Sequence, residues 1–182
     1  MNKDKVKLRN NEFGLKLHLG CGCDLRDGYV NIDWNKFPVE KSKYTPDINM
    51  NLCEFPWKKI PKGCAEEVLM IHVLEHLLPT NDVIQEISRV LSSGGVFKGV
   101  VPYGFSLNAF VEPDHVRFFE PWSFNRLAEI HGFEVKSIEL KRINLNFKSK
   151  LRNFLFPEII AKPLSYFIRN MYDEIHFVLV KK

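Results

Sequence analysis

The apolar positions of the chain follow two periods. Runs at 15–19 (LKLHL), 29–33 (YVNID), 66–71 (EEVLMI) and 95–101 (GVFKGVV, ended by Pro102) read as strands. Val83, Ile84, Ile87, Val90 and Leu91 instead recur on one face of a 3.6-residue period. They predict a helix in DVIQEISRVL, capped by Asp82 with Gln85 three residues on and stopped by Gly94-Gly95. PWSFNRLAEIHG (121–132) predicts a second helix, with Pro in its first turn and Gly after its end. FEVKSIEL (133–140) alternates as a strand, and IHFVLV (175–180) is the last. Strands alternating with helices predict an α/β fold around a mostly parallel sheet. Ligands of such sheets sit beyond the carboxyl ends of the strands. That rule places Gly20–Gly22, Asp33, His72–Glu75 and Pro102–Tyr103 along one rim.

Composition narrows the classes. The 182 residues have the length of one domain, and no repeat or linker divides 1–182. Hydrophobic residues at 45% and charged residues at 26% suit a globular protein in water. A net charge of +4 is too small to argue for nucleic acid, so no such partner is expected. The 15 phenylalanines predict a Phe-rich core or an apolar site. The charged opening MNKDKVKLRNNEFG lacks the apolar stretch of a signal peptide. No apolar run reaches the roughly 18 residues of a membrane span. Cys21, Cys23, Cys53 and Cys64 form no C-x-x-C pair. No metal site is therefore expected, and the reading is a reduced, cytoplasmic protein.

The candidate chemistry begins in LHLGCGCDLRDGYVNIDW (17–34). An apolar strand, a G-x-G turn and a second strand ending in an acid open a nucleotide-binding β-α-β unit. Gly20 and Gly22 let a backbone approach a ligand, although a tight turn without one fits equally well. A dinucleotide fingerprint requires a third glycine where Leu25 stands, which disfavours a nicotinamide cofactor. Asp33 can accept hydrogen bonds from the two hydroxyls of a ribose, or be a solvated loop acid. Trp34 can pack on an adenine face, or join the core. Only nine residues, Gly20 to Gly28, separate the two strands. At about 3.3 Å each they span roughly 30 Å, enough to run back along one short strand without a helix.

From here the chain resembles the class I S-adenosylmethionine (SAM)-dependent methyltransferases of the small, type 11-like group. The resemblance rests on LHLGCG, NIDW, DINMNLCEFPW (47–57), VLMIHVLEHL (68–77), EISRVLSSGGVFKGVVP (86–102) and DHVRFFEPWSFNRLAEIHGFEV (114–135), in that order. It implies a seven-stranded, Rossmann-like sheet with an antiparallel last strand and, here, a shortened or missing first crossover helix. It also implies SAM as cofactor. Gly20, Cys21 and Gly22 would meet the methionine part through backbone. Asp33 would hold the ribose, Asn51 and Leu52 would border the adenine, and His72 would end the fourth strand beside the cofactor. Glu75 and His76 are expected to brace the loop. The chain departs from many relatives at His18 and Asn51, where they carry acids.

The implied reaction is methyl transfer to a small-molecule or glycan-type acceptor. The alternative is a non-catalytic, methyltransferase-like binding module. His115 is the candidate catalytic base, because imidazole is the side chain that titrates near neutrality. Arg117 is placed to hold an anionic acceptor and Tyr103 to line its pocket, while "DHVRF" as a structural turn remains the alternative. Residues 141–172 form an insertion before the last strand, with seven basic residues, one acid and interleaved aromatics. Leu164, Phe167, Ile168, Met171 and Tyr172 recur at helical spacing after Pro163. This segment is expected to pack over the sheet in place of the missing helix, and is a candidate for peripheral membrane contact.

Overall fold

A computed structural model describes residues 13–34, 45–143, 147–165 and 168–182. Seven strands form one sheet in the order β3-β2-β1-β4-β5-β7-β6. They are β1 (Leu15–Leu19), β2 (Val30–Asp33), β3 (Ile48–Asn49), β4 (Ala65–Ile71), β5 (Leu91–Pro102), β6 (Phe133–Lys141) and β7 (Glu174–Lys181). The pairs among β1 to β5 are parallel, whereas β7 runs antiparallel between β5 and β6. The helices are α1 (Thr80–Val90), α2 (Asn108–Val111), α3 (Pro121–His131), α4 (Phe147–Leu155) and α5 (Glu158–Leu164). A single 3-10 turn, Leu74–His76, follows β4.

The two periods of the sequence produce one dominant core. Val83, Ile84, Ile87 and Val90 of α1 are wholly buried, as their spacing predicts. On β5 and β7, alternate residues Phe97, Val101, Phe177 and Leu179 face the same side. Phe177 stacks on Phe124 of α3 at 4.1 Å and meets Phe97 edge-on at 5.0 Å. Gly99 makes this possible, since a Cβ there would overlap the Phe177 ring. The other side of these strands carries Lys98, Val100, His176 and Val178, all half-buried. There Lys98 pairs with Glu67 at 2.6 Å.

Three expectations need correction. Helix α1 starts at Thr80, so Asp82 lies inside its first turn and donates its N–H to Pro79 O at 3.1 Å instead of capping the start, and it ends at Val90, so Gly94-Gly95 lies within β5 instead of stopping it. Helices α4 and α5 are fastened to the ends of β6 and β7 at the carboxyl rim, with Ala161 of α5 reaching the core. Arg152 binds both oxygens of Asp173, at 2.9 and 2.6 Å, and Arg142 donates to Asn153 and to the carbonyl of Phe156. Polar clamps thus decide where the pair sits, and apolar residues such as Phe154 and Ile159 remain 83% and 84% exposed. Tyr166, Phe167 and the side chains of Phe147 and Lys148 lie outside the described residues.

Candidate functional site

The first crossover contains turns and no helix. Asn31, nearly buried in β2, closes it: its Oδ1 accepts the Arg26 N–H at 2.9 Å, and its Nδ2 donates to the carbonyls of Arg26 and Tyr29. Asp24 and Arg26 pair at 2.9 Å inside the loop. Sequence reasoning missed Asn31, because an amide that ties a loop carries no periodic signal.

At the head of this loop Gly20 and Gly22 have φ of 68° and 51°, the left-handed region. Gly20 is also packed so closely that a Cβ would lie 2.5 Å from Val73. The Gly20 and Cys21 N–H groups both donate to Ile32 O, at 2.8 and 3.2 Å, and the Gly22 N–H donates to Asp33 Oδ2 at 2.5 Å. The N–H groups of Gly20, Cys21 and Gly22 are therefore committed within the fold, and Cys21 O in turn accepts the Asp24 N–H at 2.8 Å. Asp33 Oδ1 accepts the Trp34 N–H at 2.6 Å. A carboxylate has about four lone-pair sites, so each oxygen keeps capacity for a ribose hydroxyl. A Cβ on Gly22 would meet nothing within 4 Å, and Trp34 is 45% exposed beside it. An open backbone position, an acid and a partly exposed aromatic ring thus stand at the carboxyl ends of β1 and β2. Burial, reinforced by the Asp33 carboxylate, pushes the Cys21 thiol up to about 12, so it stays protonated.

Asn51 lies just past β3, with its Oδ1 accepting the Cys53 N–H at 3.0 Å. Leu52 is core, and its carbonyl accepts Trp57 Nε1–H at 3.1 Å. Only the Leu52 backbone is thus available to border a ligand. Tyr103 is likewise core, 5% exposed and edge-on to Phe105. Arg117 is exposed, and its backbone N–H bonds to Glu75 O.

Across the rim a cleft of about 410 Å³ is lined by His72, Glu75, His76, His115, Asp173 and Glu174, among others. Neither Tyr103 nor Arg117 lines it. His72 follows β4 and extends its ladder, its N–H donating to Val100 O at 2.9 Å. Its ring bonds to Glu174 at 2.9 Å and lies 3.5 Å from Glu75. Glu174 first and Glu75 second raise its pKa to about 9, so His72 is a cation at neutral pH. His115 Nδ1 lies 2.9 Å from Ala109 O. A carbonyl only accepts, so Nδ1 carries the proton and Nε2 keeps a lone pair. The strap 112–117 is held by Glu75 O, which accepts the N–H groups of Val116 and Arg117 at 2.9 and 3.0 Å. The structure therefore joins His72 and His115 in one cleft, together with Glu75 and His76.

No family model matches the chain. It is 27% identical over 137 residues to a protein of Mycolicibacterium smegmatis named "Probable S-adenosylmethionine-dependent methyltransferase/", a match covering 66% of this chain. It covers 52% of that protein, so the chain spans about half the length of the curated relative it matches. In three dimensions it is similar to a SAM-dependent methyltransferase of Archaeoglobus fulgidus, with a TM-score of 0.67 at 18% identity over 93% of this chain and 86% of the other. It is also similar to phosphoethanolamine N-methyltransferase 2 of Haemonchus contortus in complex with SAM, with a TM-score of 0.57 at 16% identity over 93% of this chain and 49% of the other. The strand order, the antiparallel β7 and these superpositions together give the chain the fold of the class I SAM-dependent methyltransferases.

Proposed function

We propose that the protein is a SAM-dependent methyltransferase acting on a small-molecule or glycan-type acceptor. The observation that carries this reading is the open ledge of Gly22, Asp33 and Trp34, set on the same rim as the His72–His115 cleft. The cofactor would supply a methyl group already activated on a sulfonium. Gly20, Cys21 and Gly22 would meet its methionine part through backbone, Asp33 would hold its ribose, and Trp34, Asn51 and the Leu52 backbone would border its adenine. His115 would stand on the acceptor side, with the lone pair of Nε2 available for a proton. Positioning is the chain's main task, since alignment alone supplies effective molarities of about 10⁵–10⁸ M. The helix-free crossover favours one rival, a binding module without catalysis, because it removes a helix N-terminus from the cofactor side.

Calorimetry with SAM and S-adenosylhomocysteine tests the reading. Hydrogen bonds to a charged group contribute about 1.5–3 kcal/mol, so Asp33→Ala should weaken binding about 10- to 150-fold. Equal affinity in that variant removes Asp33 from the site. Lack of SAM binding by the native chain supports the binding module. The reading also includes peripheral membrane contact through 141–172, on the basic and apolar surface of α4 and α5.

A further inference from the structure

We propose that Glu75, His76 and His115 form a site for one divalent transition-metal ion of the zinc class, with coordination positions left open toward the cleft.

The first observation is the buried carboxyl group of Glu75, 1% exposed, whose oxygens have no hydrogen-bond partner among the described residues. Burying such a group unsatisfied is costly. His72 Nδ1, 3.5 Å away, is within ion-pair reach but beyond ordinary hydrogen-bond length. It moderates the charge without occupying the lone pairs.

The second observation is the state of the two imidazoles. His115 Nδ1 bonds to Ala109 O at 2.9 Å, and His76 Nδ1 bonds to Asp114 O at 3.1 Å with the Asp114 carboxylate 3.2 Å away. Each ring is thereby fixed with its proton on Nδ1 and its lone pair on Nε2. Metal-binding histidines are oriented in this way by carbonyl and carboxylate partners. Third, one ligand atom from each of Glu75, His76 and His115 lies within 4.8 Å of the other two. Bonds of about 2.0–2.2 Å around a tetrahedral ion set ligands roughly 3.5 Å apart, so a small inward movement of the 112–117 strap completes the set. The backbone bonds from Val116 and Arg117 to Glu75 O already hold that strap against the 3-10 turn.

The donor set selects the ion. Two imidazoles and one carboxylate suit zinc and its first-row neighbours better than magnesium or calcium. Three protein ligands with an open position is the arrangement of catalytic zinc. With Nε2 of His115 on the ion, the metal takes over the role of base: an acceptor oxygen in the open position would become more acidic; this use rests on the methyltransferase reading, whereas metal binding does not. The absence of C-x-x-C says nothing about this site, whose ligands come from a turn and a distant strap.

The test is titration of the full, chelator-stripped chain with Co²⁺ as a spectroscopic substitute for Zn²⁺, followed by Zn²⁺ competition. The expected result is one ion per chain, with d–d absorption and no thiolate charge-transfer band. Even an outer partner of a metal site is worth about 10- to 100-fold in affinity, so His115→Ala should lose more than about tenfold. The half-exposed His115 is the deciding position, with circular dichroism confirming the fold. Glu75→Gln should behave alike, and His131→Ala should bind as the native chain does. A thiolate band, no binding at millimolar Co²⁺, or unchanged affinity in His115→Ala overturns the proposal. SAM calorimetry on the same preparation separates the readings: cofactor binding without metal binding counts against the metal site alone.

Discussion

His72 has φ of 51°, a left-handed conformation that non-glycine residues seldom adopt, and its imidazole lies between Glu174 and Glu75. Its folded-state pKa of about 9 exceeds the roughly 6.5 of an unfolded histidine. The stabilisation is therefore complete below about pH 6.5 and lost as pH rises through about 9. Melting temperatures of the native chain and His72→Gln should differ most near pH 6 and converge near pH 10. A gap that stays constant would show that the ion pairs contribute nothing. The position of His72 at the end of β4 was legible in the sequence, but its partner was not. Glu174 is 102 residues away and reaches the rim only because β7 enters the sheet antiparallel.

Among the elements, the turn after β1 depends on a single close approach. Gly20→Ala would combine a left-handed φ with a Cβ 2.5 Å from two methyl carbons of Val73. Overpacking of this kind costs about 1–3 kcal/mol, readable as a lower denaturant midpoint at unchanged slope. In a Val73→Ala background the penalty should shrink, leaving the backbone part; an undiminished penalty would exclude the Val73 contact as its cause. Long periodic elements were the legible ones. The apolar face of α1, the Pro and Gly boundaries of α3, and the alternation in β6 all survive in the structure. The two-residue β3 is too short to have a period. The Glu75–His76–His115 group was equally hidden, because backbone bonds across some forty residues assemble it. The helical spacing read after Pro163 did not locate α4 and α5: α5 ends at Leu164 with Pro163 inside it, the described residues 168–173 are turns and irregular chain, and the Arg142 and Arg152 clamps that place the pair look like any other basic residues in the sequence.

For the whole molecule, the exposed apolar side chains of α2, α4 and α5 stand out for the basic residues among them. Leu107, Phe110 and Val111 around α2, and Phe154, Leu155, Ile159 and Ile160 on α4 and α5, are all exposed. Arg169 lies over the rings of Phe105 and Phe110, at 5.6 and 5.9 Å. Lys150 and Lys162 are exposed on the same helices, whereas Arg152 is committed to Asp173. Among the described residues no helix is long and apolar enough to cross a membrane. The proposed surface contact therefore rests on apolar insertion plus charge. Native protein should co-sediment with anionic liposomes at low salt and less so at high salt. Lys150→Glu with Lys162→Glu should abolish this while the melting temperature holds. Absence of sedimentation at any salt would assign the patch another role.

The place of β7 has a consequence for the order of assembly. β7 is the last strand in the chain, yet it is the strand that joins β6 to β5. Until it is made, β6 has no neighbour and both of its edges are open. At about 5–20 residues per second of synthesis, the stretch from Lys141 to Lys181 takes roughly 2–8 seconds to appear. Throughout that interval the nascent chain holds a five-stranded half sheet, β1 to β5, and a lone strand. The antiparallel insertion that brings Glu174 to His72 thus also makes completion of the rim wait for β7.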